Sequence, residues 1–485
     1  MDKGKKRLLI FIIVYSVVAL FAIFPRLGSL PLREWDESRN AANAYEMYDG
    51  GDLLVTTFDH NPDLWNTKPP FVIWIQALCF SLFGVSEATV RLVSAVAMFL
   101  TGLILIFLGH KLNRPLAGFY SAVLVVCSKG LLFYHAGRSG DYDSTMIMFI
   151  VLYSALFYLF LHSGKTKYMI FFFIALSFAV LTKGIQSLIP LPVFLVFLLY
   201  KRKLVCVLKS GQTYAGLLIF LILVGGFYIS REIAQEGYLK AVWNNEIGGR
   251  YATVVENHAG EPSFYFKVLK DNIIPYFFWI FPFAFVFNLF TKNSTSRDLS
   301  LFAGITALFY FVIISSAKTK LEWYALPIVP FMLVVIALSF ETIHLFIAER
   351  KKTVFKVLPF ALFVLFAYKP YAEIVKHVTA SKEGEDFKGY YSSVVVMKQI
   401  AENEVRLNNI NYIKEEFGQL HFFYYYWMQD SGIEVGKKHL NELKEGDTVQ
   451  INRPDTMEII KERFEYKELY SFIQARIIKL GKTKT

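Results

Sequence analysis

The chain begins MDKGKKRLLIFIIVYSVVALFAIF (1–24), in which Lys3, Lys5, Lys6 and Arg7 precede an uncharged run from Leu8 to Phe24. A bilayer core about 30 Å thick needs about 20 apolar residues in a helix. A basic flank before an apolar run also fits a signal peptide, but no small-residue cleavage site follows. The run therefore reads as a retained first helix. Ten more qualify or nearly so: 88–108, 116–134, 142–161, 168–182, 184–200, 213–230, 272–290, 299–315, 324–346 and 354–369. Hydrophobic residues make up 55% of the 485 and charged residues only 19%. One soluble core could not hide so much apolar surface. The expected fold class is an all-α polytopic membrane protein of about 11–13 spanning helices, with a small soluble α/β domain at the C-terminus.

The loops fix the orientation. With the N-terminus inside, the inside loops are His110–Arg114, Lys165–Lys167, Lys201–Lys203, Lys292–Arg297 and Arg350–Lys352, all basic, as the positive-inside rule requires. The outer segments are then 25–87, 135–141, a break near Lys183, 231–271, 316–323 and the tail from Lys369. Phe71–Phe83 is apolar but short, more like an interfacial helix than a span. If it crossed, every later basic loop would face outward. The division expected is a membrane domain over 1–370, with its first outer loop at 25–70, and an outer α/β domain over 371–485. In that tail Val394–Asn403 and Asp455–Phe464 read as helices, Thr448–Asn452 and Ala475–Lys479 as strands.

The net charge of +11 resides in short loops between apolar runs, which makes nucleic acid an improbable partner. Cys79, Cys127 and Cys206 lie in or beside apolar stretches without CxxC spacing, so neither a disulfide framework nor a zinc site is indicated. There is no Walker A loop and no GxSxG elbow.

Ionisable residues gather on the outer side, close to helix ends, where charge is expensive. Asp36 and Glu37 open a helix-like stretch with Arg39. Asp36 fits two roles, a helix cap or a carboxylate base toward a hydroxyl. Adjacent on a helix, Asp36 and Glu37 diverge and do not form a facing pair. Lys68-Pro69-Pro70 places a lysine beside a helix N-terminus, a setting suited to anions and equally to a snorkelling lysine. Arg138, Asp141 and Asp143 cluster before the helix at 142–161. One acid suffices to cap it, which leaves the other wanting a cation or a substrate. Lys183 interrupts more than thirty mostly apolar residues, beside Gly184. Arg250 and His258 lie in the outer loop 231–271. Lys320 and Tyr324, four apart, share one face if their segment is helical. Together these make a cationic outer cavity containing Asp36 and Asp143, suited to a lipid-linked phosphate beside a carboxylate.

The ordered set of Asp36-Glu37, Lys68-Pro69-Pro70, Thr182-Lys183-Gly184 and Lys320-x-x-x-Tyr324-x-Leu326-Pro327 resembles the GT-C glycosyltransferases. The nearest branch holds protein O-mannosyltransferases and the bacterial transferases that put aminoarabinose on lipid A. The resemblance covers about 1–370. It implies inverting transfer of a sugar from a polyprenyl-phosphate donor to a lipid A, protein or glycan acceptor outside the cytoplasmic membrane. It also implies Asp36 as catalytic residue and Lys68 at the donor phosphate, with Arg39, Lys320 and Tyr324. Glu37, Asp141, Asp143, Arg138, Lys183, Arg250 and His258 would line the cavity. Many relatives carry Glu immediately before Lys-Pro-Pro; Thr67 stands here, which weakens a metal site using that position. No metal ligand is assigned and no cofactor follows from the sequence; dependence on a divalent metal stays open. The compact outer loops suggest a bacterial inner membrane with a periplasmic site. The competing class is a transporter or flippase for lipid-linked sugars. It is disfavoured because there is no internal repeat and the charges gather at one face. An inactive envelope scaffold is a third class.

Overall fold

The computed structural model describes residues 3–133, 135–249, 251–254, 257–350, 353–380, 389 and 391–484. Among them, eight helices are long and apolar enough to cross a membrane: Lys3–Ile23, Glu87–Lys111, Asp143–Ser163, Lys167–Leu188, Gly211–Ala234, Ser294–Ser316, Glu322–Ala348 and Val357–Thr379. The protein is a multi-pass membrane protein. Three expected spans are instead shorter helices, Pro115–Val126, Leu191–Tyr200 and Ile280–Leu289. Proline explains two of the breaks, because Pro190 and Pro275 precede these helices and cannot sit in a helix interior without losing a backbone bond. Past Val126 the chain turns at Ser128, whose hydroxyl donates to Leu124 O (2.8 Å). Phe71–Phe83 is a helix of 13 residues, too short to span.

Helix ends follow local chemistry. Ser86 and Thr89 form a reciprocal capping box at the start of Glu87–Lys111, and Gly164, at φ 71°, ends Asp143–Ser163 in the left-handed conformation. The Glu87–Lys111 and Pro115–Val126 helices touch backbone to backbone, since a Cβ on Gly109 would lie 2.7 Å from Gly118 Cα.

The expected inside loops meet at one end of the bundle. There Lys201 pairs with Asp298, Thr166 donates to Gln212 (3.1 Å), and Glu341 accepts from the amides of Leu116 and Ala117 (both 3.2 Å). The expected outer segments meet at the other end. Arg33 donates to Phe133 O (3.2 Å), Tyr238 to Thr67 O (2.8 Å), and Lys320 N–H to His258 O (2.9 Å).

The tail forms a five-stranded sheet in the order Glu434–Lys438, Asn409–Ile413, Thr448–Ile451, Ala475–Thr483, Phe464–Phe472, with helices Ser392–Ala401, His421–Asp430 and Pro454–Arg463. The first two pairings are parallel and the last two antiparallel. Its core merges with that of the first outer loop. Tyr424 OH accepts from Leu32 N–H (2.7 Å) and donates to Glu87 (3.2 Å). Tyr426 donates to Glu46 (2.6 Å) and stacks on Tyr45 at 5.0 Å.

At the junction lies a buried ion pair. Each of the five N–H groups of Arg91 has an acceptor: Glu37 Oε1 (2.7 Å) and Oε2 (3.1 Å), Leu27 O and Leu30 O (both 2.7 Å), and Pro31 O (2.8 Å). Glu37 also accepts from Arg33 N–H (2.7 Å) and Gly140 N–H (2.8 Å). Only glycine fits at 140, where a Cβ would sit 2.4 Å from Val90 Cγ1. Removing one partner strands a buried charge, at a cost of about 3–5 kcal/mol. Arg91→Met should therefore lower the thermal midpoint in detergent sharply, and Arg91→Lys should recover little, because lysine lacks the fork.

Candidate active site

Asp36 is the first residue of the Asp36–Tyr48 helix; Trp35 occupies the cap position, and no side chain caps it. The capping role for Asp36 is thus corrected: its carboxylate is 31% exposed and lies 3.9 Å from His135 Nδ1. His135 Nδ1 is 3.0 Å from Asp141 Oδ2, and its ring stacks on Trp323 at 3.9 Å. Ser139 donates to the same Asp141 oxygen. Burial opposes a charged His135, yet Asp141, Asp36 and Asp143 together raise its pKa above the ordinary value. Burial likewise opposes a charged Asp141, but His135 and Ser139 hold its pKa low. Asp36, His135 and Asp141 each present one donor atom within 4.8 Å of the others. Two carboxylates and an imidazole suit a divalent metal.

Neither acid of the second cluster caps the Asp143–Ser163 helix, whose cap position is Tyr142. Asp143 is buried and accepts from Lys183 with both oxygens at 2.6 Å. Lys183 Nζ is also 5.8 Å from the Tyr324 ring. Arg39 pairs with Asp63 (2.7 and 2.8 Å) and lies against Phe58 and Trp65. Burial works against the charge on Asp63, but Arg39 and the Asn66 amide keep its pKa below the usual range. Glu37 is consumed by Arg91. Arg138 donates to Ile23 O and Arg26 O. Lys320 is buried and donates to Ser315 O (2.6 Å) and Ala317 O (2.9 Å), and burial lowers its pKa. It precedes the Glu322–Ile328 helical turn, so Lys320 and Tyr324 do not share a helix face. His258 joins this segment through its carbonyl. Arg250 lies outside the described residues.

Lys68 differs from these. It is half-buried, 5.8 Å from the Tyr142 ring, and among the described residues has no hydrogen bond or ion pair. It lines a cavity of about 230 Å³ with Thr67, Gly184, Leu188, Tyr228 and Glu246. A neighbouring cavity of about 220 Å³ is lined by Gln186, Tyr251, Ile314 and Tyr324, and the two share Ile185 and Glu246. Both are predominantly apolar. Sequence reasoning missed His135, Asp63 and Trp323; the one signal for His135 was its place in the short outer segment that also holds Asp141.

Residues 67–228 match the family model described as dolichyl-phosphate-mannose-protein mannosyltransferase. A Shewanella sediminis undecaprenyl phosphate-alpha-4-amino-4-deoxy-L-arabinose arabinosyl transferase is 29% identical over 70% of this chain. An uncharacterised Aquifex aeolicus protein is 28% identical over 69% of the chain. The matched stretches span 60% and 63% of those relatives. The fold is shared with ArnT from Cupriavidus metallidurans, solved bound to undecaprenyl phosphate (TM-score 0.71, 15% identity, 97% of both chains). An Archaeoglobus fulgidus oligosaccharyltransferase aligns over 88% of this chain and 63% of its own (TM-score 0.54, 13% identity). The chain shares its fold with these solved proteins, and its resemblance to the GT-C superfamily holds in sequence over the matched stretch 67–228.

The Asp143–Lys183 pair gives a direct test. Lys183→Met alone strands Asp143. The double variant Lys183→Met/Asp143→Asn should be more stable than Lys183→Met by about 1–3 kcal/mol in thermal unfolding.

Proposed function

We propose, from the GT-C fold as premise, that this protein is an inverting glycosyltransferase using a polyprenyl-phosphate sugar. The acceptor is a lipid A-like lipid, a protein hydroxyl or a glycan on the outer, periplasmic face of a bacterial inner membrane. One observation carries the reading: a part-exposed carboxylate, Asp36, lies at the same end of the bundle as Lys68, which has no ion pair among the described residues and lines an apolar cavity that adjoins a second through Ile185 and Glu246. A lipid-linked phosphate needs this combination of an apolar channel for its tail and a cation at its head. The solved neighbour bound to undecaprenyl phosphate supports the donor class.

In this mechanism the polyprenyl chain lies along the cavities lined by Leu188, Ile185 and Ile314, and its phosphate meets Lys68. The acceptor hydroxyl attacks the anomeric carbon from the face opposite the phosphate. A new C–O bond forms, the sugar–phosphate C–O bond breaks, and its electron pair leaves with polyprenyl phosphate. The hydroxyl proton passes to Asp36; toward an acceptor already anionic, Asp36 orients and takes no proton. Lys68 stabilises the charge growing on the leaving phosphate. Lys183 is held by Asp143 and Arg39 by Asp63, so both act by fixing the walls. Lys320 and Tyr324 line the approach.

A divalent cation belongs to the same proposal. Asp36, His135 and Asp141 would hold it, and it would supply a positive charge beside the acceptor oxygen. Metal analysis of the purified protein should then find zinc or manganese near one equivalent, lost in His135→Ala; equal metal content in both proteins rejects the site.

The decisive assay measures free polyprenyl phosphate released from polyprenyl-phosphate sugars, with an envelope extract as acceptor. Asp36→Asn should lose at least about 100-fold in turnover, within the range for a missing general base, while donor binding persists. Full turnover by Asp36→Asn rejects its role. Donor binding without release by wild type across a donor panel favours the transporter or scaffold class.

A further inference from the structure

Gln419 sits in the turn before the His421–Asp430 helix of the C-terminal domain, yet its side chain reaches the start of the Asp36 helix. Its Nε2 donates to Trp35 O (2.8 Å) and its Oε1 accepts from Arg39 Nη1 (3.3 Å). The same Trp35 carbonyl accepts the amide of Arg39 (3.0 Å) and the hydroxyl of Ser38 (3.2 Å). One oxygen thus ends the loop, starts the helix and receives a hydrogen bond from the separate domain.

The peptide needs such a hold. Trp35 has φ 72° and ψ −114°, a conformation that side chains with a Cβ rarely adopt. Such residues persist only where the surroundings over-determine them, and they collect at functional sites. The Trp35 side chain is 61% exposed and so is not anchored by burial. No side chain caps the helix from within the loop. Gln419 itself is well held. The adjoining Gly418 N–H donates to His421 Nδ1 (3.0 Å), the other ring nitrogen of His421 meets Ser393 Oγ (3.0 Å), and Tyr424 and Tyr426 clamp the helix onto the loop.

We propose that Gln419 is a positioning residue through which the C-terminal domain sets the place of Asp36. This rests on the transferase reading of Asp36. The carbonyl that Gln419 pins is one peptide bond from Asp36. Rotation of that peptide would shift the Asp36 backbone and with it the 3.9 Å spacing between the Asp36 carboxylate and His135. A misplacement of about 1 Å at a reacting group can cost about 100-fold in rate. The C-terminal domain is accordingly part of the catalytic unit.

The test uses the full chain in detergent with a polyprenyl-phosphate sugar as donor. Gln419→Ala should lower kcat about 10- to 100-fold, with donor KM and the thermal midpoint close to wild type. Gln419→Glu keeps the acceptor toward Arg39 but loses the donor to Trp35, and should show the same kcat loss. Hydrogen exchange of the segment 34–40 should be faster in both variants. Wild-type kcat in Gln419→Ala overturns the proposal. So does a wild-type rate in Gln419→Glu, which would assign the effect to Arg39, and so does unchanged exchange. If wild type releases nothing from any donor, the transferase reading fails by itself, and the exchange measurement still decides whether Gln419 holds this peptide.

Discussion

The site depends on the buried Glu37–Arg91 pair. Arg91 gathers three carbonyls of the 27–31 turn, and Glu37 gathers the amides of Arg33 and Gly140. The first outer loop, the Glu87–Lys111 helix and the 135–143 segment are therefore fixed to each other through two side chains. Such a pair adds little net stability against an apolar replacement, but it is costly to half-remove. What it supplies here is geometry. Glu37 turns inward to the clamp, while Asp36, its neighbour on the helix, remains part-exposed beside His135.

The cations around the site divide by what holds them. Lys183, Arg39 and Arg91 each have a carboxylate at salt-bridge distance. Lys320 and Arg138 are spent on backbone carbonyls. These groups build walls, and their charge is already answered. Lys68 has no hydrogen bond or ion pair among the described residues and lines an apolar cavity, which is why the proposed mechanism gives it the donor phosphate.

Much of this was legible in the sequence. Long apolar runs and basic loops gave the bundle and its register, because the cost of putting charge in hydrocarbon leaves few alternatives. Asp36, Lys68, Asp143 and Lys183 stood out for the same reason. The spans at 116–134, 184–200 and 272–290 were read too long, since hydropathy is blind to a turn or a proline inside an apolar run. Pairings were not legible: nothing in the chain links Glu37 to Arg91 or Asp36 to His135. In the tail, the strands Asn409–Ile413, Glu434–Lys438 and Phe464–Phe472 escaped notice; the last two are sheet edges, and Phe464–Phe472 is mostly exposed, so neither presents a clear buried face. The His421–Asp430 helix, HFFYYYWMQD, is nearly all aromatic, a composition with little helical preference. Docking against the first loop makes it a helix, and that docking also brings Gln419 to Trp35.

The central claim is that Asp36 and Lys68 flank the bond broken in transfer. A structure of the protein with a non-hydrolysable polyprenyl-phosphate sugar tests it most directly. The account predicts the phosphate in contact with Lys68 Nζ, the tail along Leu188 and Ile314, and the anomeric carbon between that phosphate and the Asp36 carboxylate. A phosphate bound away from Lys68, or a sugar with its anomeric carbon turned from Asp36, would contradict it.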